Sequence, residues 1–266
     1  MEETLKLKNS EKKDYHYEEA IKTLRTNLQF CSSSMKVIMF TSSLPDEGKS
    51  EITFALASSF GSIGKKVLLV DGDIRKSVLV KRYEIKGNPN GLSQYLSGQK
   101  PLEKVLYHTD RENLDMILAG PYSPDPAELL EDTLFRDMLE KARENYDYII
   151  IDTPPMGSVI DGAIIAGHCD GAVIVVESGT ISYRLVQKVR SQLEKSGCRI
   201  LGAVLNRVGG GYEHSYYEKY YGRRGGKYYG KYGRHYGRYE EGKAPPVNEV
   251  SGARIKNDTT AQSQDT

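Results

Sequence analysis

The chain has 266 residues and a formal net charge of +1. That length supports one large domain or two small ones with a sizeable core, and the near-neutral balance gives no global signature of a nucleic-acid partner. No apolar run approaches the ~20 residues that a bilayer-spanning helix needs.

The three cysteines, Cys31, Cys169 and Cys198, are scattered. They lack zinc or disulfide spacing and read as small core residues in a reducing cytosol. The opening MEETLKLKNSEKKD has no apolar segment of the signal-peptide kind. A cytoplasmic protein is expected, held at a membrane only through a partner.

Residues 1–17 read as a flexible N-terminus, the polar stretch 1–14 above all. Residues 18–208 read as the folded domain. Glu18–Phe30 (EEAIKTLRTNLQF) has Ala20, Ile21, Leu24 and Leu28 at helical spacing. Glu19, Lys22 and Arg25 step by three along a neighbouring stripe. As a pattern that stripe is either the solvated face of a surface helix or a contact for another subunit.

Lys36–Phe40 (KVIMF) reads as a buried strand, Thr41–Ser50 (TSSLPDEGKS) as a tight loop and Glu51–Phe60 as a helix. Strand, loop, Gly-Lys-Ser and helix make a phosphate-binding arrangement. Loop N–H groups converge on phosphate oxygens, and the positive end of the helix dipole favours the anion. Gly48 permits close backbone approach, Lys49 supplies a point charge for the β- and γ-phosphates, and Ser50 offers a hydroxyl to magnesium. The candidate nucleotide contacts in this loop are Ser43, Asp46, Glu47, Gly48, Lys49, Ser50 and Glu51. The usual pattern starts with glycine where this chain has Ser43.

Val67–Val70 is an apolar run with Asp71 and Asp73 at its carboxyl end. In open α/β sheets ligands sit beyond that end. Two carboxylates there suit magnesium or proton acceptance, although Asp-Gly is also a common turn pair. Residues 76–113 read as irregular, apart from a short helix over Gly91–Leu96. Leu114–Leu118 is a candidate strand, Gly120–Pro126 a proline-rich loop, and Ala127–Asn145 one helix with Leu130, Leu134, Met138 and Leu139 inward. Tyr148–Pro155 (YIIIDTPP) is a buried strand ending in Asp152, the pattern of the second acidic element of phosphate-loop enzymes.

Asp161–His168 and Tyr183–Ser196 read as helices, and Gly171–Val176 and Ile200–Asn206 as strands. The β–α alternation predicts an α/β fold: a mostly parallel sheet with helices on both faces. His168, beside Cys169 and Asp170, has no ligand spacing and is not read as a metal site.

The composition changes at Gly209. Residues 209–266 read as a disordered tail. Its 212–239 window holds ten tyrosines: Tyr212, Tyr216, Tyr217, Tyr220, Tyr221, Tyr228, Tyr229, Tyr232, Tyr236 and Tyr239. Seven lysines and arginines against two glutamates give that window +5. With no aliphatic residue it cannot build a core. Such a tail could stack on single-stranded nucleic acid, adhere as a low-complexity segment or accept phosphate on its tyrosines. A nucleotide site on the same chain makes phosphoacceptor the economical reading.

Taken together, SSLPDEGKS, VLLVDGDIR, YIIIDTPP and the tyrosine cluster, in this order, resemble the bacterial tyrosine kinase family of capsule and exopolysaccharide synthesis. The resemblance runs from about Glu18 to Tyr239, and Ser43 is normal for that family. It implies a phosphate-loop NTPase fold related to the partitioning and cell-division ATPases, with ATP and Mg2+ as cofactors. Carried over by position, Lys49 binds phosphates, Ser50 and Asp73 hold magnesium, and Asp152 completes the metal site. Asp71 becomes the base for the incoming tyrosine hydroxyl, and Asn206 lies near the nucleotide base. Glu19, Lys22 and Arg25 match a subunit-contact motif of Glu and two Arg, with Lys22 replacing the first Arg.

The resemblance further implies a ring-like homo-oligomer with phosphorylation in trans and a membrane activator acting through its cytoplasmic tail. The kinase would sit peripherally at the inner membrane face, a tyrosine phosphatase would oppose it, and no nucleic acid is expected. Two functions stay open: a tyrosine autokinase, and a non-kinase ATPase switch of the partitioning type. Those ATPases carry an extra lysine where this chain has Leu44, so the kinase is favoured.

Overall fold

The computed structural model describes residues 4–8, 15–31 and 34–208. Its eight strands are β1 (Thr4–Leu5), β2 (Val37–Ser42), β3 (Val67–Asp71), β4 (Leu106–Thr109), β5 (Leu114–Ile117), β6 (Tyr148–Asp152), β7 (Gly171–Glu177) and β8 (Ile200–Asn206). They form one sheet in the order β1-β4-β5-β3-β6-β2-β7-β8. Neighbours are parallel except β4 and β5. The helices are α1 (Tyr15–Cys31), α2 (Lys49–Gly61), α3 (Leu79–Arg82), α4 (Leu92–Leu96), α5 (Pro126–Glu131), α6 (Thr133–Asn145), α7 (Asp161–Ala166) and α8 (Tyr183–Lys195).

The central strands are unbroken apolar runs because both their faces are covered. Val37 and Met39 of β2, Leu68 and Val70 of β3, and Ile149 and Ile151 of β6 pack into the layer made by α4 to α8. The alternate residues Ile38, Phe40, Val67, Leu69 and Ile150 pack into the opposite layer, with Ile21 and Leu28 of α1 and Leu56, Ala57 and Phe60 of α2. Register then does the positioning. Asp71 pairs with Asp152 across β3 and β6, and Phe40 pairs with Asp152 across β2 and β6. The carboxyl ends of three adjacent strands therefore converge on one point.

Four expectations are corrected. The N-terminal stretch is not wholly loose: β1 pairs with β4, and Leu5 and Leu7 are buried while Thr4, Lys6 and Lys8 face out. Residues 76–113 contain β4, whose half-exposed residues hide the apolar signal of a strand. The helix expected over Ala127–Asn145 is two helices. Asp132 is extended (φ −64°, ψ 150°) and caps α6 by accepting a hydrogen bond from Leu134 N–H at 2.9 Å. Ala20 is exposed, so the inner face of α1 rests on Ile21 and Leu28. The tail 209–266 and its tyrosine cluster lie outside the described residues.

Candidate active site

The loop between β2 and α2 is held by its own side chains. Glu47 is buried, and its two oxygens accept from Leu44 N–H at 2.6 Å and Glu177 N–H at 3.0 Å. That ties the loop to the end of β7. Asn206, the last residue of β8, donates its Nδ2 to the Glu47 carbonyl at 2.9 Å. Gly48 has φ +85°, and a Cβ there would lie 2.1 Å from Asn206 Nδ2. Only glycine accepts both the left-handed backbone and that neighbour. Ser43 is fully buried and its Oγ has no partner. Asp46 also has positive φ, 67°, and is exposed.

Lys49 opens α2 and is 7% exposed. Its Nζ lies 2.6 Å from Asp152 Oδ1 and 3.4 Å from Ser50 Oγ. Asp71, buried at the end of β3, accepts a hydrogen bond from Ser77 Oγ–H. Burial, and then the neighbouring Asp152 charge, push the Asp71 carboxyl up to about 8. The raised value favours the protonated carboxyl, and a cation beside it would favour release. Asp73 is also raised, chiefly by burial, while its Oδ1 accepts from Lys76 N–H at 2.9 Å.

Of the residues expected at the site, Lys49, Ser50, Asp71, Asp73 and Asp152 gather at the loop. Glu47 is part of the loop's frame, so its side chain is not free for nucleotide. Asn206 serves the same frame through its amide. Glu51 sits at the first turn of α2, 3.2 Å from Arg82 Nη1. Glu19 and Lys22 pair with each other at 2.7 Å on the exposed face of α1. Arg25 turns inward, with Nη1 2.8 Å from both the carbonyl and the Oγ of Ser59 on α2. His168 lies edge-on to Phe135, centroids 5.7 Å apart.

Three residues of this region carry no sequence signal of their own: Ser77, and the Arg75–Asp161 pair. Arg75 Nε and Nη2 lie 2.6 and 2.9 Å from the two oxygens of Asp161. Arg75 stood only as the end of VLLVDGDIR, and Asp161 only as a helix start.

The donor set fits magnesium. Ser50, Asp73 and Asp152 offer hard oxygens, and magnesium is held in such sites by one or two carboxylates, phosphates and its own waters. Among the described residues no three His, Cys, Asp or Glu close on a point as a cage.

Residues 35–197, more than half of the chain, match the AAA domain family. The tyrosine-protein kinase CpsD of Streptococcus pneumoniae serotype 4 is 42% identical over 191 residues, 72% of this chain and 84% of that one. The chain belongs to the bacterial tyrosine kinases. YwqD of Bacillus subtilis, another tyrosine-protein kinase, is 35% identical over 203 residues, covering 75% of this kinase and 85% of YwqD. The kinase domain of Escherichia coli Etk superposes with a TM-score of 0.69 at 29% identity, over 78% of this kinase and 92% of that domain. A septum site-determining protein, MinD, from Pyrococcus horikoshii, solved with Mg-ADP, superposes at 0.57 with 27% identity. It spans 65% of this kinase and 71% of MinD. The bacterial tyrosine kinase and its MinD neighbour thus share a phosphate-loop NTPase fold. No described helix of this kinase is long and apolar enough to cross a membrane.

Proposed function

We propose that the protein is an ATP-dependent tyrosine autokinase that transfers the γ-phosphoryl group to tyrosines of its own 212–239 segment, in trans between subunits of a ring-like homo-oligomer. The observation that carries this is the join between β8 and the loop. Asn206, whose amide rests on the Glu47 carbonyl, is followed after two described residues by the glycine run that leads to the tyrosines. Acceptor tyrosines and nucleotide loop thus belong to one chain, joined in sequence through the end of β8.

In this reading the loop N–H groups and Lys49 bind the phosphates. Lys49 leaves Asp152 to do so. Asp152, with Ser50 and Asp73, would then be free to hold magnesium, whose charge would offset that of the phosphates. Asp71 receives the proton of the attacking tyrosine once neighbouring positive charge has lowered its proton affinity. Catalysis rests on positioning and charge stabilisation.

The same reading places the kinase in control of capsular or exopolysaccharide polymerisation and export. It would act under a membrane activator whose cytoplasmic tail recruits it to the inner face of the membrane, and a tyrosine phosphatase would reverse the modification. The test is incubation of the full chain with magnesium and labelled ATP, followed by peptide mapping, beside Lys49→Met and a truncation after Val208. Label on tail tyrosines, lost in Lys49→Met, is expected. Free phosphate accumulating without labelled tyrosine, with the activator's tail present, would leave an ATPase switch instead.

A further inference from the structure

We infer that Asp161 and Arg75 form a positioning pair that fixes the acidic loop Asp71–Ser77 for magnesium. Asp161 opens α7 and is fully buried. Its carboxylate receives Arg75 through both oxygens, at 2.6 and 2.9 Å. Arg75 is two residues beyond Asp73. A forked guanidinium–carboxylate contact sets direction as well as distance, so it fixes how the backbone after Asp73 is turned.

The same helix touches the loop at a second point. A Cβ on Gly72 would lie 3.0 Å from Ile165 Cδ1 of α7 and 3.1 Å from the Asp152 carbonyl. Gly72 N–H already donates to that carbonyl at 2.7 Å. Within the loop Ser77 Oγ–H donates to Asp71, Asp73 N–H to Asp71 Oδ1 at 3.3 Å and Lys76 N–H to Asp73, while Ser77 Oγ accepts from Leu79 N–H at the start of α3 at 3.2 Å. Thus Gly72 is pinned to β6 on one side of Asp73, and Arg75 to α7 on the other.

Stability alone is a poor reason for this arrangement. Asp161 is fully buried while the Arg75 side chain is a third exposed, so the pair gives up much of its attraction to desolvating the carboxylate, and an apolar residue at that helix start would hold the helix as well or better. Fork geometry beside a carboxylate that must meet a metal is a better one, because such ligands act only when their supporting shell is rigid. The inference rests on the kinase reading for the reaction, but its own readout is magnesium-linked nucleotide binding.

The experiment uses the full chain, Asp161→Asn and Arg75→Lys. A fluorescent ATP analogue is titrated in EDTA and then across magnesium concentrations, with thermal melting and tail labelling measured on the same samples. Arg75→Lys keeps the charge and loses the fork, and it guards against Asp161→Asn failing to fold. In both variants the half-saturating magnesium concentration is expected to rise at least tenfold, with EDTA affinity within about twofold of wild type, since the loop at Gly48–Ser50 is untouched. An unchanged magnesium curve in Arg75→Lys would overturn the inference. So would affinity falling equally with and without magnesium. Wild-type chain that binds Mg-nucleotide but labels no tyrosine defeats the kinase reading alone.

Discussion

Lys49 and Asp152 face each other with Nζ 2.6 Å from Oδ1, and both are almost closed to solvent. In the proposed mechanism Lys49 turns from this carboxylate to the phosphates. Binding must exchange one anion for another. Asp152→Asn keeps the shape and removes the competitor. Affinity for ATP in EDTA is expected to rise about tenfold, or about 1.4 kcal/mol. Tail labelling in magnesium is expected to fall by roughly 10²–10³, the range for losing one electrostatic group of a reacting site. Nucleotide titration and label incorporation measure the two effects separately. Affinity that falls in EDTA would mean that Asp152 does not compete for Lys49.

Gly48 and Asn206 are expected to be coupled. In Gly48→Ala the left-handed backbone costs ~1–2 kcal/mol, and the new Cβ also strikes Asn206 Nδ2, 2.1 Å away. Asn206→Ala loses only the 2.9 Å bond to the Glu47 carbonyl, about 1 kcal/mol. The double variant removes the collision but not the backbone strain. Its loss of stability should therefore be at least ~0.5 kcal/mol smaller than the sum of the singles. Denaturant melts of the three variants give that number directly, and strict additivity would show that the loop moves aside instead.

The centre of this site was legible because the central strands are short apolar runs ending in aspartate. VLLVD and YIIID need no knowledge of their neighbours to be read as buried parallel strands with a ligand end. Their register then brings Asp71 opposite Asp152. The frame around the site was not legible. Arg75 and Asp161 are 86 residues apart in sequence, and nothing local marks either as half of a pair. Glu47 is a candidate nucleotide contact by its place in the loop, yet its two oxygens accept from backbone N–H groups of separate elements, which nothing local foretells. Two misses did carry a signal. TLKLK at the N-terminus alternates as a half-buried strand does, and Asp132-Thr133 is a helix start placed inside what had been read as one helix.

The α1 stripe divides into two kinds of residue, and substitutions should separate them. Glu19 and Lys22 pair with each other at an exposed surface, a contact that contributes little to folding. Arg25 ties α1 to the carbonyl and hydroxyl of Ser59. Arg25→Ala is expected to destabilise the isolated chain by about 1–3 kcal/mol, as for a lost charge-assisted hydrogen bond in a partly buried setting. Glu19→Ala with Lys22→Ala should leave melting unchanged while weakening self-association. Melting beside sedimentation velocity distinguishes the cases. Glu19 and Lys22 substitutions that leave association intact would remove them from the subunit contact.

Asp170 gives a prediction with a defined pH window. Its Oδ2 accepts from the N–H groups of Lys36 and Val37, each at 2.8 Å, and both its oxygens receive the Arg143 guanidinium at 2.8 Å. Burial pushes the carboxyl up, but the guanidinium and the two N–H groups outweigh burial and hold it below its ordinary 3.8. A carboxyl whose folded pKa is depressed contributes stability above its unfolded pKa, and loses it as pH falls through the folded value. Asp170→Asn should therefore cost roughly 1–2 kcal/mol at pH 7, as expected when a charged acceptor is lost from a partly buried, partly screened cluster. The gap to wild type should narrow steadily below about pH 4. Urea melts of both proteins between pH 7 and pH 2.5 test this. A gap that stays constant over that range would show that the bonds at Asp170 act by shape alone and not through its charge.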